Sequence, residues 1–407
     1  MNRKIAFIVS MLLCGLALKA QPADTLRWRE VFTNPQLMQL IDTALTHNTD
    51  LRVASLHVEQ ADAQLRMTRL SLLPTVSVGG EGFKEYSLPV RLQWEVSLSG
   101  RFFAEKKAAE SHLWSAEETE RAVRLQVVTA VASQYYTLLM LDEQLAITRE
   151  GVENARRTVE VMEALKEAGM QNEAAVAQAR TAWLSAAASE KTLLMQIGMA
   201  ESALMLLLGQ QRENIVRGAA AASALPLDYT AAYPLESLSE RPDVKASEYA
   251  LAASLAQVDI ARSAFYPTLS ITASLNWLDM LTEAVASLVQ PLFNAGRNKG
   301  NLRIAKAAYE ESLASFTQTL LVASTELRDA LSACTFSSER IALRELEVEA
   351  AGKACEASEA LMQSGSATYL EVLTAQSALL QSRLSLSADR LDLLQGQINL
   401  YKALGGN

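Results

Sequence analysis

Apolar residues in this chain follow two rhythms, and each rhythm occurs in both halves. The longer one has a seven-residue period. Leu370, Leu373, Ser377, Leu380, Leu384, Ser387, Leu391, Leu394, Ile398 and Tyr401 recur at alternating steps of three and four, a heptad seam held for over four heptads. Val127, Val131, Leu138, Leu141, Leu145, Val152, Val159 and Met162 keep the same rhythm with gaps. Proline is absent between Pro89 and Pro226 and again after Pro291, and only Gly151 and Gly352 interrupt 101–168 and 301–364. The pattern predicts two helices of about 65 residues, each roughly 100 Å long by the helical rise, over about 101–168 and 297–364. Shorter helices are expected over about 170–209 and 366–404. Gly169 and Gly365 then mark the turns of two long antiparallel helical hairpins.

The shorter rhythm has period two. Val90, Leu92, Trp94, Val96 and Leu98 alternate with Arg91, Gln93, Glu95 and Ser97, which predicts a strand with one apolar and one polar face. Gly79, Gly80 and Gly82 suit the turn of a hairpin over about 74–98. Leu269, Ile271, Ala273, Leu275 and Trp277 alternate likewise within a second hairpin over about 267–294. Its returning strand, expected near 285–293, alternates poorly and contains Pro291. Nine of the 24 aromatics fall in 74–103 and 265–293, the kind of concentration that outer-membrane barrels carry at their interfaces.

The two halves align residue by residue. Asn48-Thr49-Asp50-Leu51 matches Arg241-Pro242-Asp243-Val244, and Leu73-Pro74-Thr75 matches Tyr266-Pro267-Thr268, both at an offset of 193. Ser99-Gly100-Arg101 matches Ala295-Gly296-Arg297, Gly169 matches Gly365, and Leu208-Gly209 matches Leu404-Gly405, now at 196. A duplicated architecture is expected, 21–236 and 237–407, each copy a strand hairpin followed by a helical hairpin. Four strands cannot close a membrane barrel alone, because the smallest bacterial barrels have eight and an open edge in lipid leaves backbone groups unsatisfied. If the strands cross a membrane, several chains share one barrel.

Arg3 and Lys4 precede an apolar run at 5–18, which reads as a signal peptide over residues 1–20. Cleavage after Ala20 is favoured over lipidation at Cys14, since Met11-Leu12-Leu13 lacks the small residue that lipoprotein processing prefers. No other apolar run reaches the roughly 18 residues of a membrane helix. Cys334 and Cys355 fall on one predicted helix about 30 Å apart, too far for a disulfide, and are expected to be small buried residues.

A net charge of −9 disfavours nucleic acid as a partner. His47, His57 and His112 show no metal-ligand spacing, and the chain carries no phosphate loop, dinucleotide fingerprint or nucleophile elbow. No enzyme activity, cofactor or resident metal is expected. Met162, Met170, Met195, Met199 and Met205 are read as flexible core filler rather than a soft-metal path.

Six stretches, in order along nearly the whole chain, resemble the TolC-like outer-membrane efflux proteins, in particular those serving resistance-nodulation-division pumps. They are Phe32-Thr33-Asn34-Pro35-Gln36-Leu37, Asn48-Thr49-Asp50-Leu51, Glu240-Arg241-Pro242-Asp243-Val244, Ala264-Phe265-Tyr266-Pro267-Thr268-Leu269-Ser270, Pro291-Leu292-Phe293-Asn294-Ala295-Gly296-Arg297 and Asn399-Leu400-Tyr401-Lys402-Ala403-Leu404-Gly405-Gly406. The resemblance implies a homotrimer with a twelve-stranded barrel in the outer membrane of a Gram-negative bacterium and a helical tunnel through the periplasm. It implies docking to a periplasmic adaptor (membrane fusion) protein and an inner-membrane pump, and a passive duct for drugs and other small toxic molecules. It also implies a gate just after Gly365. Two acids three apart are common there. This chain has Glu371 and Thr374, so a ring of three Glu371 side chains remains. Protein secretion and metal-ion efflux are the alternatives within transport. A soluble periplasmic coiled-coil adaptor or scaffold is the alternative outside it, but such a protein has no reason for the apolar row from Val90 to Leu98.

Overall fold

A computed structural model describes residues 28–78, 90–97, 99–210, 215–218, 225–230, 233, 235–275, 282–289, 296–364 and 366–406. The leader with Cys14, the glycines at 79, 80 and 82, Leu98, Trp277, Pro291 and Gly365 lie outside them. The elements run α1 (Trp28–Val31), α2 (Pro35–His47), α3 (Thr49–Leu70), β1 (Thr75–Val78), β2 (Val90–Ser97), α4 (Arg101–Glu167), α5 (Glu173–Leu208), a 3₁₀ turn (Leu235–Glu240), α6 (Pro242–Ser263), β3 (Thr268–Leu275), β4 (Thr282–Val289), α7 (Arg297–Gln363) and α8 (Tyr369–Ala403).

The long helices α4 and α7 have 67 residues each and start 196 apart. The 22-residue helices α3 and α6 start 193 apart. These two offsets are those of the sequence match. The sequence pattern had not singled out α3 or α6. In α3 only Leu51, Ala54 and Leu65 are buried, too sparse a stripe to read as an amphipathic period.

Two compact units form, and they do not follow the two sequence halves. One comprises Met1–Asn48, Leu125–Leu238 and Ser324–Asn407; the other comprises Thr49–Arg124 and Ser239–Ala323. In the first unit the core is Phe32, Leu37 and Ile41, with Val131, Tyr135 and Leu138 from α4, Leu204 and Leu208 from α5, and Ile398, Leu400 and Tyr401 from α8. Phe32 meets Tyr401 edge-on at 5.5 Å between ring centres. Asn34 caps α2, its Oδ1 accepting from the Gln36 and Leu37 amides at 2.9 and 3.2 Å. Buried Gln397 both accepts from and donates to the Leu225 backbone, at 2.9 and 3.2 Å. That satisfies a side chain and fastens the connection after α5 at one point. Cys334 and Cys355 are free and buried, both on α7.

Seven of the eight seam positions read on α4 are buried, Val152 being half-exposed. The α8 seam needs correction. Leu391, Leu394, Ile398 and Tyr401 are buried, but Leu370 is 58% exposed while its neighbours Tyr369 and Val372 are buried. A straight helix drifts about 20° per heptad against a 3.5-residue repeat. Four heptads amount to nearly one residue position, which is the shift seen.

Candidate functional site

In the second unit the four strands form one antiparallel sheet, ordered β1-β2-β3-β4. Its register sorts side chains by chemistry. Val76, Leu92 and Ala273 share one row, and Trp94, Ile271 and Ala286 share another. The adjoining rows are polar: Thr75, Gln93 and Thr272 in one, Glu95, Ser270 and Ser287 in the next. Val285, opposite Thr272, is an exception. Val90, Leu92 and Trp94 occupy the apolar rows, Val90 and Leu92 half-buried and Trp94 38% exposed. Val96 is opposite Leu269 by register. The Trp94 indole donates to the Leu72 carbonyl at 2.9 Å, satisfying its polar end while the ring stays on the apolar side.

The returning strand differs from its expected place. It is Thr282–Val289 rather than 285–293. Small Ala284 and Ala286 hide the period-two signal, and Pro291 lies beyond the described strand.

The helical turns lie in the first unit. Gly169 adopts φ 72°, and the Met170 and Gln171 amides both donate to the Leu165 carbonyl, at 2.8 and 3.2 Å. At the matching turn the Ser366 and Ala367 amides both donate to the Leu361 carbonyl, at 2.9 and 3.2 Å. Asn172 caps α5, accepting from the Ala175 amide at 3.0 Å. Lys166 pairs with Glu173 across the first turn, and Arg180 with Glu163 at 2.6 Å. The Lys166 ammonium holds the Glu173 carboxyl below its usual range. Beside the turns Val159, Met162, Val176, Ala179 and Tyr369 form a buried cluster with Trp183, Met362 and Leu373 packed against it.

Glu371 sits exposed in the first turn of α8, its amide bonded to the Thr368 carbonyl at 3.1 Å. A carboxylate there complements the helix dipole. Thr374 is one turn on, also exposed, with its hydroxyl donating back to the Leu370 carbonyl at 2.8 Å. Sequence reasoning passed over Tyr369. It is 6% exposed, and burial pushes its phenol above the usual range. The signal available was its departure from the charged residue, Glu173, that the first copy carries at that place.

His57 and His112 line one groove with Asp50, but no group of three His, Cys, Asp or Glu able to hold a metal occurs among the described residues. The methionine reading holds for Met162, which is fully buried, and fails for Met170, Met195 and Met199, exposed by 72, 60 and 65%. Leu184 and Leu206 are exposed as well, at 58 and 82%. Although no uninterrupted run marks it, α5 is long and apolar enough to cross a membrane by length and composition. Its free apolar face belongs to a helix that needs a cover.

Residues 40–210 and 234–406 match the family described as Outer membrane efflux protein. The chain belongs to this family. Among TolC-like efflux proteins it is 31% identical to the toluene efflux pump outer membrane protein TtgC of Pseudomonas putida, over 93% of this chain and 84% of that protein. It is 29% identical to the cation efflux system protein CusC of Escherichia coli O6:H1, over 96% of this chain and 90% of that protein. A crystal structure of CusC superposes with a TM-score of 0.87 at 28% identity, covering 97% of this chain and all of that one. This efflux protein is therefore an outer-membrane exit duct of a tripartite pump, mostly helical with a few strands, extending into the periplasm. Such components work with adaptor and inner-membrane pump partners.

Two of the family-like stretches carry buried polar side chains with defined contacts. Asn48 is buried and donates to the Leu207 carbonyl at 2.9 Å. Arg241 is 2% exposed and grips Asp243 through two nitrogens at 3.0 and 2.7 Å.

Proposed function

We propose that three copies of this chain build one passive channel, and that the chain is a duplicated unit of hairpins. The observation that carries this reading is the sheet. It has one apolar and one polar face and ends in β1 and β4, each paired along one edge only among the described residues. Four strands from each of three chains make a closed twelve-stranded barrel, which leaves no edge in lipid. Val90, Leu92 and Trp94 then face outer-membrane lipid, and Arg91, Gln93 and Glu95 face the lumen. The exposed apolar residues of α5, together with Phe336, Leu343 and Leu346 of α7 at 67, 68 and 63% exposure, are covered by neighbouring copies. The turns at Gly169 and Gly365 form the periplasmic tip that meets an adaptor, and a resistance-nodulation-division pump supplies the energy. The duct performs no catalysis and needs no cofactor.

The cargo is organic small molecules, as the name of TtgC suggests for that relative. Cation efflux is the second reading, carried by the likeness to CusC. Deleting the gene in its source bacterium separates the two: sensitivity to solvents and antibiotics supports the first, sensitivity to silver or copper salts the second. Unchanged sensitivity to all of them overturns the duct.

At the tip a threefold axis brings three Glu371 carboxylates into one constriction, where they attract cations and repel anions. Single-channel recording across a salt gradient is expected to give a weakly cation-selective reversal potential, reduced in Glu371→Ala. Thr374→Ala has the smaller effect, since it removes no charge. An unchanged reversal potential in Glu371→Ala places the gate elsewhere, for example at the turn after Gly169.

A further inference from the structure

Tyr369 is the buried residue that the second helical hairpin contributes to the tip cluster. Val159, Met162, Val176 and Ala179 all come from the first hairpin. The Tyr369 hydroxyl has no hydrogen-bond partner and is sealed from solvent. A phenol normally keeps its polar end bonded when its ring is buried, so this group is held against its own preference.

The internal match shows why the ring is there. The two turns share one backbone bonding pattern, so turn geometry does not call for a tyrosine. The first tip has an Asn172 cap and a Lys166–Glu173 pair. The second has Thr368, which makes no side-chain cap bond, and carries Met362 and Tyr369 at the places of Lys166 and Glu173. One tip is thus fixed by its own polar contacts. The other has exchanged those contacts for burial against the first. Farther from the tip the attachment is polar, through Arg383 to Glu150 at 3.1 Å and Ser387 to Glu143 at 2.6 Å.

We propose that Tyr369 is a clasp with a built-in release: its ring docks the second hairpin tip onto the first, and its partnerless hydroxyl gains hydration when the tips part. The ring favours the docked tip and the hydroxyl favours the open one. This rests on the reading of the protein as a gated duct.

The two halves of the side chain are separable by substitution. Tyr369→Phe keeps the ring and removes the hydroxyl. In planar bilayers the full-length Phe variant is expected to dwell in the closed state about fivefold longer than wild type or more, the factor that relief of one buried unsatisfied polar group brings. Tyr369→Ala removes the ring and shortens the closed dwell. Hydrogen exchange in the same proteins is expected to slow in Phe and quicken in Ala at the start of α8, with a smaller change at the start of α5, where Asn172 holds the cap. Equal dwell times for wild type and Phe overturn the clasp while leaving the duct intact, because both still conduct. A wild type that never conducts overturns the duct itself, and the gating role of Tyr369 falls with it.

Discussion

Leu92→Arg is expected to abolish the trimer proposed for the wild-type protein in detergent, and Gln93→Arg is expected to leave it assembled. These neighbours differ in which way the strand turns them. Leu92 shares its row with Val76 and Ala273, and Gln93 shares its row with Thr75 and Thr272. A guanidinium on the lipid side of a barrel near mid-bilayer costs about 2–4 kcal/mol. Symmetry repeats that cost in each of the three chains, so closure of the barrel becomes strongly unfavourable. At position 93 the same group enters a polar row beside Arg91 and Glu95 and stays in water. Light scattering of the detergent-purified proteins decides. Equal assembly of the two variants means that the faces have been assigned the wrong way round. A wild type that is itself a stable monomer removes the shared barrel altogether.

What was legible in the sequence follows from how strongly each element is determined locally. The long helices were legible because proline is absent and glycine scarce over some 65 positions, and α4 and α7 end within one residue of the expected points. The strand β2 was legible because large apolar and charged or amide residues alternate in it. The strand β4, which pairs with β3, was displaced because alanine and serine fit either face, leaving proline as the conspicuous mark. The helix α3 was missed because most of its surface stays exposed in one chain, and α6 because its buried residues, such as Ala253, Ala256 and Ser263, are mostly small and mark no clear apolar stripe. The α8 seam was right where it is tightly packed and one position off at the tip, where the drift of a straight helix against the seven-residue repeat has accumulated. That displacement hid Tyr369 behind Leu370. Sequence marked Glu371 as charge near a turn. Only the packing marked its neighbour as the residue by which the turn is held.

Gly209→Ala is expected to destabilise the protein by about 3–5 kcal/mol, within the range of the most damaging single substitutions. Two costs combine there. Gly209 adopts φ 64°, a left-handed conformation that costs a residue with a Cβ about 1–2 kcal/mol. Its added methyl also meets the His47 carbonyl oxygen at 2.2 Å, a contact with backbone that cannot be retained. The end of α5 must therefore withdraw from the α2–α3 joint. It then loses the hydrogen bond from Asn48 to the Leu207 carbonyl. Gly100 supplies the control. It has φ 73° and nothing within 4 Å of an added Cβ, so Gly100→Ala carries the conformational cost alone. The drop in apparent melting temperature, followed through the helical signal of the purified protein, is expected to be severalfold larger for Gly209→Ala. Equal drops mean that the backbone of α5 does not press against His47. The Leu208-Gly209 stretch would then be an ordinary helix end.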